Sequence, residues 1–140
     1  MKLFEPVEHT ADYALIARGR DLRELVESAG RGMISLLVDT AQVAPTGQVD
    51  FVAHGDSPEQ LLLATLRELL YLEEDQGLVP VRFSVVRLDQ TPLAAECSVS
   101  VTPIELARPQ LLGHIKAVTY HDLNITSTPA GLEVRLIFDV

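Results

Sequence analysis

The chain has one cysteine, no tryptophan and only 11 basic residues against 20 acidic ones. Each scarcity excludes something. A lone cysteine, Cys97, forms no internal disulfide and no thiolate metal cluster, and a reducing cytoplasm is the expected compartment. No run approaches the roughly 20 apolar residues of a membrane helix. The start, Met1-Lys2-Leu3-Phe4-Glu5-Pro6, turns acidic and prolyl where a signal peptide would build its apolar stretch, so none is expected. With a formal charge of −9 and 5 % aromatic residues, the chain is poorly equipped to grip phosphate backbones on its own, since that affinity comes from Lys and Arg. Acidity suits a basic protein partner, a bound cation, or plain solubility. What is present is globular: 140 residues, 47 % of them hydrophobic, enough to bury a core without staples and expected to form one domain over residues 1–140.

Two segments have helical periodicity. The first opens at Asp21 with Glu24 three residues on, a capping-box pattern. Leu22, Leu25, Val26, Ala29, Met33, Leu36 and Leu37 then trace one apolar stripe, with Arg20, Arg23, Glu24, Glu27 and Arg31 on the opposite face. The second opens at Ser57-Pro58, runs through Leu61, Leu62, Leu66, Leu69 and Leu70, and should stop before Gly77. It too reads as one-sided. Elsewhere the period is two: Leu93 to Val101, Leu132 to Phe138, and shorter runs at Tyr13–Arg18, Val49–Ala53, Val81–Arg87 and His114–Tyr120. Turn chemistry at 89–92 and 127–131 separates strands that can pair as hairpins. The predicted class is α+β, an antiparallel or mixed sheet with two amphipathic helices packed on one side.

Candidate chemistry is sparse. The four histidines form no zinc-binding helix pair, and no EF-hand loop is present. No serine lies in a nucleophile elbow, and Cys97, flanked at alternating positions by Ala95 and Val99, reads as a buried inert thiol. The acids are more suggestive. Asp12 sits where a loop becomes a strand, Asp39 follows the first helix, and Asp139 precedes Val140 and its carboxylate. Hard oxygen ligands of this kind suit Ca²⁺, Mg²⁺ or Mn²⁺. They are equally a turn cap, a helix end and a solvated terminus. The stretch His114 to His121 concentrates two imidazoles, an ammonium, a phenol and a hydroxyl. Extended, it would send His114, Lys116, Val118 and Tyr120 to one face. That face is either solvated or positions Lys116 as counter-ion to a carboxylate cluster.

Taken in order, Phe4…Glu8-His9-Thr10-Ala11-Asp12, Asp39-Thr40, Leu69-Leu70-Tyr71-Leu72, Lys116-Ala117-Val118-Thr119-Tyr120-His121 and Ile137-Phe138-Asp139-Val140 resemble the archease family over the whole chain. The chain departs from the family's habit at Tyr13-Ala14, where a glycine is common, and at Glu73-Glu74-Asp75, where an aromatic often follows. The resemblance implies a non-catalytic activator of an RtcB-type RNA ligase, promoting guanylylation of the ligase's active-site histidine and multiple turnover in tRNA splicing and RNA repair, and broadening its nucleotide use. It implies a divalent-metal site at Asp12, Asp139 and Val140, calcium first and magnesium or manganese as alternatives. Asp39, Lys116 and His9 are expected beside the metal or against the partner. RNA would be met only through the ligase, and no membrane is involved. Three carboxylates gathered together would raise one another's pKa unless a cation sat among them. The competing readings are a stand-alone metal-dependent phosphoesterase and a general chaperone or adaptor.

Overall fold

A computed structural model describes residues 2–7, 13–119 and 122–140. The first helix, α1 (Leu22–Leu37), is capped as its sequence directs: the Asp21 carboxylate accepts the Glu24 N–H. The return bond of the capping box reaches one residue further back than expected, since Glu24 Oε1 accepts the N–H of Arg20 at 3.0 Å. The second helix, α2 (Pro58–Gln76), repeats the pattern, with the Ser57 hydroxyl accepting the Gln60 N–H and Gln60 accepting that of Asp56. It ends at Gly77, whose φ of 64° supplies the left-handed turn that releases the chain. A third helix, α3 (Ile104–Ala107), is a single turn.

The strands form two sheets, antiparallel at every pair. In the first, β1 (Phe4–Val7) pairs β2 (Tyr13–Gly19), and β2 pairs the late strand β8 (Gly131–Asp139). The other edge of β8 takes β6 (Ala117–Val118) at one end and β7 (Thr126–Thr128) at the other. In the second, β5 (Leu93–Pro103) lies between β3 (Gly47–His54) and β4 (Leu78–Gln90). The α+β class, the antiparallel pairing and the two long helices are as the sequence indicates; the strands divide between two sheets because β2 takes its partner from the far end of the chain.

The core is continuous across both sheets. Leu15 opposite Leu136 and Ala17 opposite Val134 present the buried face of the first sheet, and Phe83, Val99 and Cys97 that of the second. α1 packs on β2 and on β4, joining the two sheets. It comes close enough to β4 that a Cβ on Gly30 would overlap the Phe83 ring. α2 is less one-sided than its spacing suggests: Leu61, Leu62 and Leu63 are all buried. Three consecutive residues span most of a helical turn, so α2 is covered on a wide arc by α1, β6 and the second sheet.

The charged face of α1 is also not simply solvated. Arg31 Nε donates to the carbonyl of Phe83 and an Arg23 guanidinium nitrogen to that of Val85, each at 3.0 Å. Glu27 accepts the Val85 N–H at 3.0 Å and stands 3.5 and 3.6 Å from the two arginines. These side chains meet the Phe83 carbonyl and both main-chain groups of Val85 on the outer edge of β4, groups that would otherwise be left without a neighbouring strand.

Candidate functional site

The site is built around the end of β8. On one side Tyr13 lies opposite Phe138, and on the other Val118 faces Phe138 and Ala117 faces Asp139. The Lys116 N–H donates to the Asp139 carbonyl at 2.8 Å, and the Thr119 N–H to that of Ile137 at 2.9 Å. These bonds hold the main chain of Asp139, while Asp139 and Val140 as residues remain exposed. Asp12 and His9, the other residues singled out near the N-terminus, lie outside the described residues, as do Tyr120 and His121. Tyr13 follows Asp12 directly in the sequence.

Lys116 is brought to Asp139 through its backbone. Its ammonium is exposed and forms no ion pair among the described residues. The alternation expected from His114 onward does not hold. Among the described residues of this stretch, only Ala117 and Val118 form a strand, and the buried residues are Ile115 and Val118, while Lys116 and Ala117 are both exposed. The cause is local: this segment is tied by single bonds to β8, without a full ladder to impose a two-residue period.

Asp39 lies just past α1, half-buried, where it opens a short 3₁₀ turn at Thr40–Gln42. Its N–H donates to the Gln110 carbonyl and its carbonyl accepts the Gln42 N–H. From there residues 110–119 lace the structure together. Val38 bridges Leu111, and the Leu112 N–H meets the Leu37 carbonyl. Gly113 packs so closely that a Cβ there would lie 3.1 Å from the Tyr13 hydroxyl. The segment then reaches Asp139 through Lys116. One stretch of chain thus connects the end of α1, carrying Asp39, to the end of β8, carrying Asp139.

Sequence reasoning missed the contribution of α2. Burial pushes the Glu73 carboxyl above its ordinary range, with the attraction of His114 opposing and the repulsion of Glu74 adding. Beside it, a cavity of about 80 Å³ is lined by Arg67, Tyr71, Glu74 and Lys116 among others. The acidic run after Leu72 was the available signal, but only the tertiary fold sets it beside Lys116.

Among the described residues, no three or more His, Cys, Asp or Glu side chains gather closely enough to hold a metal. The donors at this end, the Asp139 carboxylate and the main chain of Val140, are hard oxygens on exposed residues, which fits a calcium-class cation given further oxygen ligands. A cleft of about 430 Å³ between β1, α1 and β4 is lined by Phe4, Arg31, Ser35, Arg82 and their neighbours, with no carboxylate, imidazole or thiol in its wall. Cys97 is buried, and burial pushes its thiol up to about 12.

These features define a two-sheet α+β protein with an oxygen-rich site candidate at the end of its central strand. Residues 4–140 match the model of the Archease protein family (MTH1598/TM1083). The protein archease of Thermococcus gammatolerans is 34 % identical over 137 residues, covering 94 % of this chain and 93 % of that one. The solution structure of Methanobacterium thermoautotrophicum protein 1598 superposes with a TM-score of 0.83 at 26 % identity, covering 100 % of both chains. A Thermotoga maritima protein described as an archease and possible chaperone shares the fold, with a TM-score of 0.65 at 24 % identity over 97 % of this chain and 96 % of that one. This chain belongs to the archease family. No helix among the described residues is long and apolar enough to cross a membrane.

Proposed function

We propose that this protein is a cytoplasmic, non-catalytic activator of an RtcB-type RNA ligase, promoting guanylylation of the ligase's active-site histidine and so its repeated turnover in tRNA splicing and RNA repair, and widening the nucleotides it accepts. Asp12, Asp139 and Val140 hold a divalent cation, calcium or else magnesium or manganese, and Asp39, Lys116 and His9 stand near it or meet the ligase. The observation that carries this reading is the convergence at the end of β8. Tyr13, next to Asp12 in sequence, lies opposite the residue before Asp139, and Lys116 is tied to Asp139 by its backbone.

A cation held there would supply positive charge that offsets charge on phosphate oxygens, a usual stabiliser of nucleotidyl transfer. The chain's own residues do the rest. Asp139 offers an exposed carboxylate on a fixed main chain. Lys116, tied to Asp139 through its backbone, offers an ammonium on an exposed residue, able to attract a phosphate or a partner's carboxylate. The ligase supplies nucleophile and nucleotide pocket.

The test is RNA joining by a limiting amount of RtcB-type ligase with GTP and Mn²⁺. Turnover beyond one equivalent is expected with the unmodified protein and is lost with Asp12→Ala or Asp139→Ala. Lys116→Ala is expected to lose stimulation while metal binding persists. Stimulation indifferent to all three substitutions overturns the role given to this site. Absence of stimulation by the unmodified protein overturns the activator reading. Metal-dependent phosphate-ester hydrolysis by the protein alone would instead favour a phosphoesterase, and suppression of aggregation of unrelated proteins independent of Asp12 and Asp139 a chaperone.

A further inference from the structure

The two edges of the second sheet are treated differently. The β4 edge is occupied at Phe83 and Val85 by Arg31, Arg23 and Glu27. Among the described residues the β3 edge carries no such cover. Gly55 donates across to Leu93 of β5, and the β3–β5 register continues from there without a bulge. By the alternation of antiparallel ladders, Ala53, Phe51, Val49 and Gly47 turn their main-chain groups toward β5. Gln48, Asp50, Val52 and His54 turn theirs outward, and no backbone hydrogen bond meets those outward groups among the described residues. β3 is eight residues long, contains no proline and places Val52 on the surface at 49 % exposure. Edges of this kind are ordinarily blunted.

We propose that the β3 edge is a self-association surface, pairing antiparallel with β3 of a second copy about a two-fold axis at Val52. That register sets Val52 against its own counterpart and Asp50 of each copy opposite His54 of the other. All three residues have outward-turned main-chain groups, so they can exchange ladder hydrogen bonds directly. Their side chains share the exposed face of the sheet, where opposite polar partners support one another. The inner face gains as well, since Phe51 and Val49, only partly buried, lie at the open edge of the core. Competing registers are worse: centring the axis on Asp50 puts two carboxylates face to face, and centring it on Phe51 sets Asp50 against Val52. The result is a sheet running β4-β5-β3 through the axis into its symmetry mate, closed in the manner of an isologous dimer.

The proposal is independent of the ligase reading. Its test is sedimentation equilibrium of the full chain in about 150 mM salt, where repulsion between acidic copies is screened beyond about 8 Å. The unmodified protein is expected to dimerise. Asp50→His alone and His54→Asp alone each weaken association at least tenfold, and the double exchange restores it, because the opposed pair is re-formed with its members swapped. Val52→Lys gives a monomer with an unchanged far-ultraviolet circular dichroism spectrum. A monomer at every concentration, or a dimer indifferent to these changes or not rescued by the exchange, overturns the proposal.

Discussion

Glu27, one turn into the middle of α1, accepts the main-chain N–H of Val85 on β4 at 3.0 Å, and its carboxylate is 14 % exposed. A helix side chain thereby substitutes for a missing neighbouring strand, and two arginines hold it in place. Glu27→Ala leaves the Val85 N–H and both guanidinium groups without this acceptor. The expected loss is about 1–3 kcal/mol by urea unfolding, the usual cost of orphaning a partly buried polar group. Glu27→Gln, which keeps an acceptor oxygen, should lose less. An equal loss for both would assign the effect to charge, not to the hydrogen bond.

Gly30 costs the helix stability, through the backbone entropy glycine loses on folding, and secures close approach to Phe83. Alanine there would ordinarily gain ~1 kcal/mol of helix propensity. Because its Cβ would overlap a buried ring, Gly30→Ala should instead destabilise by about 1–3 kcal/mol through overpacking. A rise in melting temperature would refute the contact.

Glu24 responds to acid. The Arg20 guanidinium, and then the Arg20 N–H, hold its carboxyl below the ordinary value of 4.5. The folded state therefore takes up this proton less readily than the unfolded chain. Its stabilising contribution is complete above the ordinary carboxylate range and is lost as pH falls through the lowered folded value. Glu24→Gln should be less stable than the unmodified protein near neutral pH and converge with it in strong acid. Parallel stability–pH curves would contradict this.

Cys97 should be chemically silent. With its thiol pushed up to about 12 by burial, the thiolate fraction at pH 8 is on the order of one in ten thousand. Labelling by a disulfide reagent is expected to proceed at the rate of global opening and to become immediate in denaturant. Rapid labelling of the native protein would show an exposed thiol.

Metal binding should follow the donors at the end of β8. Asp139→Asn is expected to weaken Ca²⁺ or Mn²⁺ binding at least tenfold by calorimetry, or about 1.4 kcal/mol. Unfolding of the unmodified protein should shift upward with added cation, and that shift should disappear with chelator or with Asp139→Asn. A shift that survives the substitution would place the cation elsewhere.

The sequence was most legible where the determinants are local. The caps at Asp21 and Ser57, the stop at Gly77, the turn at Thr91-Pro92 and the alternation of β5 and β8 each depend on a few neighbouring residues. What could not be read is long-range. Hydropathy marks Arg23, Glu27 and Arg31 as non-core, and says nothing of the strand edge they serve. At the candidate site, Asp139 and Lys116 were named from pattern and resemblance. Their backbone contact, and the approach of Glu73 to His114, arise from pairings between distant segments. From His114 onward a two-residue period was expected over a stretch in which, among the described residues, Ala117 and Val118 alone join a ladder to enforce it.

The placement of β8 carries a consequence for the order in which this protein can be made. β3, α2, β4 and β5 follow one another closely, so the second sheet can assemble while later residues are still being synthesised. β2 must wait for β8, which comes after every other described element. The segments that converge at Asp139 therefore meet after the second sheet is in place. On a ribosome the first sheet stays open until β8 emerges, and a change that keeps β8 from pairing would lose the Tyr13–Phe138 contact with the candidate site.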